Sequence, residues 1–370
     1  MDPKVLIFRV GQLGDSLIAL PAIRAVQANY PGAKLSLLYD EHLGRSYVVS
    51  KALFEGSGLF VSYIGYPIGY SFLEKIKAFF ALFRLSFRLR RSGYNLVVHL
   101  EPEVKTPLRS LRDRWFFRLS GIPRQIQTVS SRLSRVSDKP LPAIEHESDF
   151  FLRAIKAQGL QVPPPGQGSM CLGLGESESE EVRAWFESQP SILKLHPACF
   201  NPEPSVLYSL SAVGIGVGSK MQAKRWPLER FEALIRRLVE QYGIYPVYFG
   251  GLEDAAHARE LIEKIGVGAN ACGGLSLRGA IRALEGCLFY VGNDTGTMHM
   301  AVAAGIRCIG IFSARDVPGK WYPYGNGHAV HRVPVECEGC MLQTCVTEER
   351  RCLTAISVED VFASCAKFLN

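Results

Sequence analysis

Apolar runs of four to eight residues alternate along the chain with longer segments whose apolar residues recur at helical spacing. VLIFRV (5–10) precedes the helical pattern SLIALPAIRAVQANY, which leads to KLSLLYD (34–40). The amphipathic run SFLEKIKAFFALFRLSFRLRRSG (71–93) leads to NLVVHLE (95–101). The pattern restarts at AVGIGVGS (212–219). RFEALIRRLVEQYG then places Leu234, Ile235 and Leu238 on one helical side, and IYPVYFGG (244–251), CLFYVGND (287–294) and IRCIGIFS (306–313) follow. Short apolar runs separated by helices predict β-α-β units and parallel sheets. Ser357, with Glu359 and Asp360 behind it, predicts a closing helix from Ser357 to Leu369. GLQVPPPGQGSMCLGLGESESE (159–180) is rich in Pro, Gly and Ser and reads as a linker. The expected domains are therefore 1–165 and 166–370, two Rossmann-like halves facing a cleft.

Composition narrows the class. The 370 residues are 47% hydrophobic and 21% charged, as in ordinary globular proteins. The net charge of +7 suits an acidic partner such as a nucleotide, a phosphate or an anionic membrane face. No zinc-finger, helix-turn-helix or interleaved basic–aromatic strand pattern points to nucleic acid. No apolar run reaches the roughly 18 residues needed to span a bilayer, and no leader-like segment opens the chain. The expected location is the cytoplasm, where the ten cysteines stay mostly reduced.

Three strand-to-helix turns carry candidate chemistry. In RVGQLGDSLIALPAIRAV (9–26), Gly11 and Gly14 loosen the turn, and Asp15 either caps the next helix or faces a ligand. Asp40, at the end of the second strand, sits where a ribose-binding acid stands in dinucleotide folds. The turn lacks G-x-G-x-x-G, however. In GIGVGSKMQAKRWPLERF (214–231), alternating glycines and Ser219 precede Lys220, Lys224 and Arg225. That combination fits either solvated cations or a diphosphate cradle. In VGNDTGTMHMAVAAG (291–305), Asp294 or Thr295 can cap a helix beginning near Met298. Gly296 leaves room for close backbone approach, and His299 is either a buried structural histidine or a ligand contact.

Two further features stand apart. Cys337, Cys340, Cys345 and Cys352 fall within sixteen residues; they either hold a metal such as zinc or pack a loop as reduced thiols. In Lys75–Arg91, Phe79, Phe80, Phe83 and Phe87 are interleaved with Lys75, Lys77, Arg84, Arg88, Arg90 and Arg91. Such a helix either lies on an anionic membrane or packs its aromatics inward.

Taken together, these segments resemble glycosyltransferase family 9, the ADP-heptose:lipopolysaccharide heptosyltransferases. The resemblance runs through the opening strand-turn-helix, GYNLVVHLE, RLSGIPRQI and EHESDFFLRAIKAQGL. It continues through VGSKMQAKRWPLERFEALI, VGNDTGTMHMAVAAGIRCIGIFS, KWYPYG and the four-cysteine loop before ISVEDV. It departs at His99, where the family commonly has Asp, at EPEVKTPLRSLRDRW, and at PSILKLHPACFNPEPSVLYSLS (190–211), which has no counterpart.

The resemblance implies an α/β GT-B fold, with the acceptor on the N-terminal domain and the nucleotide-sugar on the C-terminal one. The C-terminal helix is expected to pack back on the N-terminal domain. It implies an inverting transfer with neither cofactor nor catalytic metal, from ADP-heptose to a glycolipid or oligosaccharide acceptor such as the lipopolysaccharide core. Asp15 would be the general base. Ser219, Lys224, Arg225, Glu253, Asp294, Thr295, Gly296, Thr297 and His299 would bind the donor, with a protonated His299 adding to the positive field that opposes the departing diphosphate. The enzyme is expected at the cytoplasmic membrane face. The alternatives are another nucleotide-sugar, an NAD-type oxidoreductase, or a nucleotide-binding protein without turnover.

Overall fold

A computed structural model describes residues 3–42, 50–101, 107–127, 139–189, 211–346 and 349–370, with the side chains of 107–110 excepted. The stretch at 190–210 lies outside the described residues. The chain divides into two compact units. One is formed by Met1–Arg135 and Glu147–Gly173, the other by Val136–His146 and Leu174–Asn370.

The first unit carries a parallel sheet of five strands: β1 (Lys4–Arg9), β2 (Lys34–His42), β3 (Ser62–Ile68), β4 (Leu96–His99) and β5 (Arg124–Gln127). Their order is β3-β2-β1-β4-β5. The helices are α1 (Leu13–Ile18), α2 (Leu20–Asn29), α3 (Ser50–Phe54), α4 (Phe72–Ser92), α5 (Pro107–Leu119) and α6 (Glu147–Lys156). The helix expected over 16–30 is thus two helices. Pro21 lies in the first turn of α2, and Ala19 ends α1 while starting α2. β1 and β4 are buried along nearly their whole length, as expected of strands covered on both faces. Leu6, Phe8, Leu38 and Val97 pack against Leu85, Leu89 and Phe117, which seats α4 and α5 together on one face of this sheet.

The second unit repeats the plan with β6 (Ala212–Gly216), β7 (Tyr245–Tyr248), β8 (Ala269–Asn270), β9 (Phe289–Asn293), β10 (Arg307–Phe312) and β11 (Ala329–Arg332), in the order β11-β10-β9-β6-β7-β8. All the pairings are parallel. Its helices are α7 (Glu176–Glu187), α8 (Leu228–Tyr242), α9 (Ala255–Ile265), α10 (Leu277–Leu284), α11 (Gly296–Ala303), α12 (Arg351–Thr354) and α13 (Val358–Leu369). Phe231, Leu234, Ile235 and Leu238 form the buried stripe of α8, as the spacing predicts.

The stretch 159–180 is more than a spacer. Arg24 donates to the Cys171 carbonyl at 2.7–3.0 Å, which ties the stretch to α2. From Glu176 it is already helix α7, held to α10 by the Glu178–Arg278 ion pair at 2.5 Å and by Glu181 accepting from Ser276. The closing helix forms as expected, with Ser357 Oγ accepting from the Asp360 N–H at 3.1 Å. Phe362, Cys365 and Phe368 join the core of the second sheet, with Phe368 edge-on to Phe289.

Candidate functional site

In each unit the strand order reverses beside its first strand. β1 has β2 on one side and β4 on the other, while β6 has β7 on one side and β9 on the other. The loops leaving these strands diverge at their carboxyl ends and leave a crevice, where open α/β sheets bind ligands. The sequence-predicted residues fall at both places.

In the first unit Asp15 is the third residue of α1. Its Oδ2 accepts the Gln12 N–H at 2.8 Å, and its Oδ1 stands 3.8 Å from the Arg9 guanidinium. The capping role is therefore real, yet the side chain keeps 24% exposure. Gly11 has φ +143°, and a Cβ there would crowd the Asp15 carboxylate. Only glycine lets the chain turn this closely over Asp15.

Arg9 was absent from the predicted site. It is buried at the end of β1, donates to the Leu100 carbonyl, and is surrounded by the carboxylates of Asp15, Glu101, Glu147 and Asp40. Burial pulls its pKa down and those four carboxylates push it back up. Its place in an apolar strand, RV after VLIF, concealed it, although a charge inside a buried strand was the available signal. His99, at the end of β4, lies 4.0 Å from Glu101 and edge-on to Phe117. Asp40 is buried and paired with His42 at 2.6 Å. Its Oδ2 is engaged by His42 within the same strand, while Oδ1 has no partner among the described residues.

In the second unit the turns after β6 and β9 are locked together by Asn293, a second residue that sequence reasoning passed over. Its Nδ2 donates to the Val217 carbonyl at 2.7 Å and its Oδ1 accepts from the Trp226 N–H at 3.0 Å. Trp226 is buried and donates through its indole to the Ile356 carbonyl, so the W-P pair is an anchor. Between these fixed points, the 3₁₀ turn Gln222–Lys224 presents Lys224, whose Nζ lies 2.6 Å from Asp294. Arg225 folds back, its Nε donating to the Ser219 carbonyl at 2.7 Å.

Thr295 is the N-cap of α11, in place of the start expected near Met298, and its side chain makes no capping bond. Asp294 does not cap the helix; it pairs with Lys224. The N–H groups of Gly296 and Thr297 stand at the helix N-terminus, where no intrahelical acceptor exists. Burial pushes the Asp294 carboxyl up, and Lys224 opposes that.

His299 is buried, and its Nδ1 has no hydrogen-bond partner among the described residues. Burial, followed by nearby His146 and Lys224, depresses its pKa to about 3. The expected imidazolium is therefore corrected: His299 is a neutral imidazole, able to donate or accept one hydrogen bond. Ser219, Lys224, Arg225, Asp294, Thr295, Gly296, Thr297 and His299 thus gather at one crevice. Glu253 stands on the neighbouring turn after β7 and is exposed. The buried acid of that turn is Asp254, whose carboxylate packs against Gly218 and Gly250 and leaves no room for a Cβ at either.

The four-cysteine loop lies beneath the lysine turn. Cys337, Cys340, Cys345 and Cys352 line one small cavity with Ala223 and Arg315. The nine described cysteines are thiols, and among the described residues no group of three or more His, Cys, Asp or Glu is set to hold a metal ion. What the loop does hold is the turn itself. Ala223 N–H donates to the Gln343 carbonyl at 3.0 Å, Cys345 N–H to Gln222 Oε1 at 3.1 Å, and Arg350 to the Arg225 carbonyl at 3.0 Å. The buried Arg315 closes the loop through the Leu342 and Met341 carbonyls, both at 2.7 Å.

The sequence pattern of Glycosyltransferase family 9 (heptosyltransferase) matches residues 193–350, which include every element of this second crevice from Ser219 to His299. Over those residues, a little under half of the chain, the sequence is similar to glycosyltransferase family 9. The protein is a glycosyltransferase of heptosyltransferase-like type. The fold agrees along its length. The glycosyl transferase family 9 protein from Veillonella parvula DSM 2008 superimposes with a TM-score of 0.71 at 17% identity, covering 100% of this chain and 98% of that one. E. coli ADP-heptose lps heptosyltransferase II gives 0.68 at 19% identity, with 99% and 98% covered. E. coli heptosyltransferase WaaC with ADP gives 0.63 at 18% identity, with 99% of each chain covered. The architecture is therefore GT-B, with two parallel α/β sheets. No curated protein sequence matches the chain. Among the described residues no helix is long and apolar enough to cross a membrane.

Proposed function

We propose that the protein transfers heptose from ADP-heptose, with inversion and without a catalytic metal, to a glycolipid or oligosaccharide of the lipopolysaccharide-core type. The observation that carries this reading is the second crevice, where a lysine, a helix N-terminus and an unpartnered buried imidazole converge at a strand-order reversal. Donor cleavage leaves a nucleoside diphosphate and builds negative charge on its outer phosphate. Lys224, the Gly296 and Thr297 N–H groups, and His299 donating from neutral imidazole meet that charge with fixed dipoles and one cation. Asp294 holds Lys224 in place until the diphosphate competes for it. Ser219, Arg225 and Thr295 line the same crevice, and Glu253 serves the ribose hydroxyls.

Adenosine is favoured as the nucleoside because the superposable WaaC structure contains ADP. The Asp15 carboxylate takes the acceptor proton as the new glycosidic bond forms; Arg9 and the Gln12 N–H orient it. The work of both crevices belongs on the cytoplasmic side, where nucleotide-sugars are made.

The test pairs binding with turnover. ADP should raise the melting temperature more than UDP or GDP. Asp15→Ala should keep that shift while losing about 10²–10⁴-fold in transfer, the range of a general base. Equal shifts by all three diphosphates would refute the adenosine reading, full activity in Asp15→Ala the base assignment, and loss of transfer in EDTA the metal-free route.

A further inference from the structure

Helix α4 is the longest helix of the first unit among the described residues. Its buried face is narrow and made of Ala78, Leu85 and Leu89, with Leu82 partly covered. The four phenylalanines of the amphipathic run do not join that face. Phe79, Phe80, Phe83 and Phe87 are 67%, 61%, 62% and 53% exposed, and Phe72, Leu73 and Ile76 extend the row toward the helix start.

At 100° per residue, Phe72, Ile76, Phe79, Phe83 and Phe87 fall on one stripe roughly opposite the buried residues. Lys77, Arg84 and Arg88 border it on one side and Lys75 on the other; all four are exposed. The helix carries six basic residues and one acid, Glu74, whose carboxylate accepts the Tyr70 and Ser71 N–H groups at 2.9 Å. α5 packs beside α4, with Ser120 and Ser86 bonded at 3.0 Å. It adds a second exposed row, Leu111, Trp115 and Leu119 at i, i+4 and i+8, flanked by exposed Arg112, Arg114 and Arg118.

We infer that the joint outer face of α4 and α5 is a membrane-docking surface that lies in the headgroup layer of an anionic bilayer. Large exposed apolar side chains gathered in rows mark an interaction site. An aromatic stripe bordered by lysine and arginine stems is how an in-plane helix meets lipid: rings enter the acyl boundary while cations snorkel to phosphates. The charge pattern selects this occupant over a second copy of the chain. A self-paired face would set its positive border against itself, whereas anionic headgroups neutralise it. The inference rests on exposure and charge alone and stands apart from the sugar-transfer reading.

The experiment is co-sedimentation of the full chain with vesicles of phosphatidylcholine, and of phosphatidylcholine with phosphatidylglycerol at about 2:1. Wild type is expected to bind the anionic vesicles at least tenfold more tightly than the neutral ones, and less tightly as salt rises. Phe79→Ser/Phe83→Ser/Phe87→Ser, all at exposed positions, should lose at least tenfold in anionic-vesicle binding while keeping the wild-type melting temperature and its shift by ADP. Arg84→Glu/Arg88→Glu should abolish the preference for anionic lipid. Absence of wild-type binding to anionic vesicles would overturn the proposal. So would undiminished binding by the serine variant, or a wild-type dimer that the serine variant dissolves.

Discussion

His299 shows how one residue's environment settles a question its type leaves open. A histidine at the mouth of a helix invites the reading of a cation for phosphate. Enclosed with Lys224 and His146 nearby, it remains neutral down to about pH 3. Its contribution at neutral pH is then a directed N–H, and a bound diphosphate would pull its pKa back up. The same burial has a stability consequence. Between the usual histidine value of 6.5 and about 3, the unfolded chain binds a proton that the folded protein refuses, so stability falls as pH falls through that window. Wild type should lose about 1.4 kcal/mol per pH unit there in excess of His299→Gln. Urea titrations of both proteins from pH 7 to 4 measure this; parallel curves would mean the imidazole is not depressed.

At the scale of elements, the lysine turn after β6 is held by a loop more than a hundred residues further on. The turn Gln222–Lys224 is a single 3₁₀ turn, too short to fix a lysine by itself. Three hydrogen bonds from residues 343–350 bracket it, and the four thiols line a small cavity beside Ala223. Arg350→Ala removes the bond to the Arg225 carbonyl and should raise the donor KM several-fold while leaving kcat within about twofold, since the lost group positions a binding residue and meets no reacting atom. Steady-state kinetics at saturating acceptor distinguish this from a fall in kcat, which would place Arg350 in the chemistry. The sequence made the cysteine cluster visible as four thiols in a short span. It could not reveal the partner of the loop, because a hydrogen bond between Ala223 and Gln343 has no local signature.

At the scale of the whole molecule, the second unit is not a continuous piece of chain. Residues 139–146 leave the first unit's sequence and pack on the second. Ile144 N–H donates to the Pro318 carbonyl at 2.9 Å, Leu141 N–H to Glu338 Oε1 at 2.6 Å, and His146 bonds the Tyr322 carbonyl at 2.9 Å. Gly319, with φ +90°, lies against the Ile144 backbone, where any side chain would collide. A fragment 174–370 therefore lacks part of its own fold. It should melt several degrees below the second unit of the full chain, consistent with about 1 kcal/mol for each of a few lost bonds. Calorimetry of fragment and full chain checks this, and equal transitions would show the segment to be dispensable.

The apolar runs and their spacing determined the strands of both sheets that carry the crevices, the buried stripe of α8 and the Ser357 cap, because these follow from the local periods of strand and helix. The glycine turns at 11 and 218 were legible as well: only glycine permits the backbone to pass so near Asp15 or Asp254. The tertiary structure alone decided the rest. It turned the phenylalanines of α4 outward, since amphipathicity fixes two faces but not which one the sheet takes. It enclosed Arg9 and neutralised His299, since burial is a property of neighbours brought from afar. It gave Asn293 its role, because that amide joins the ends of two strands separated in sequence by more than seventy residues.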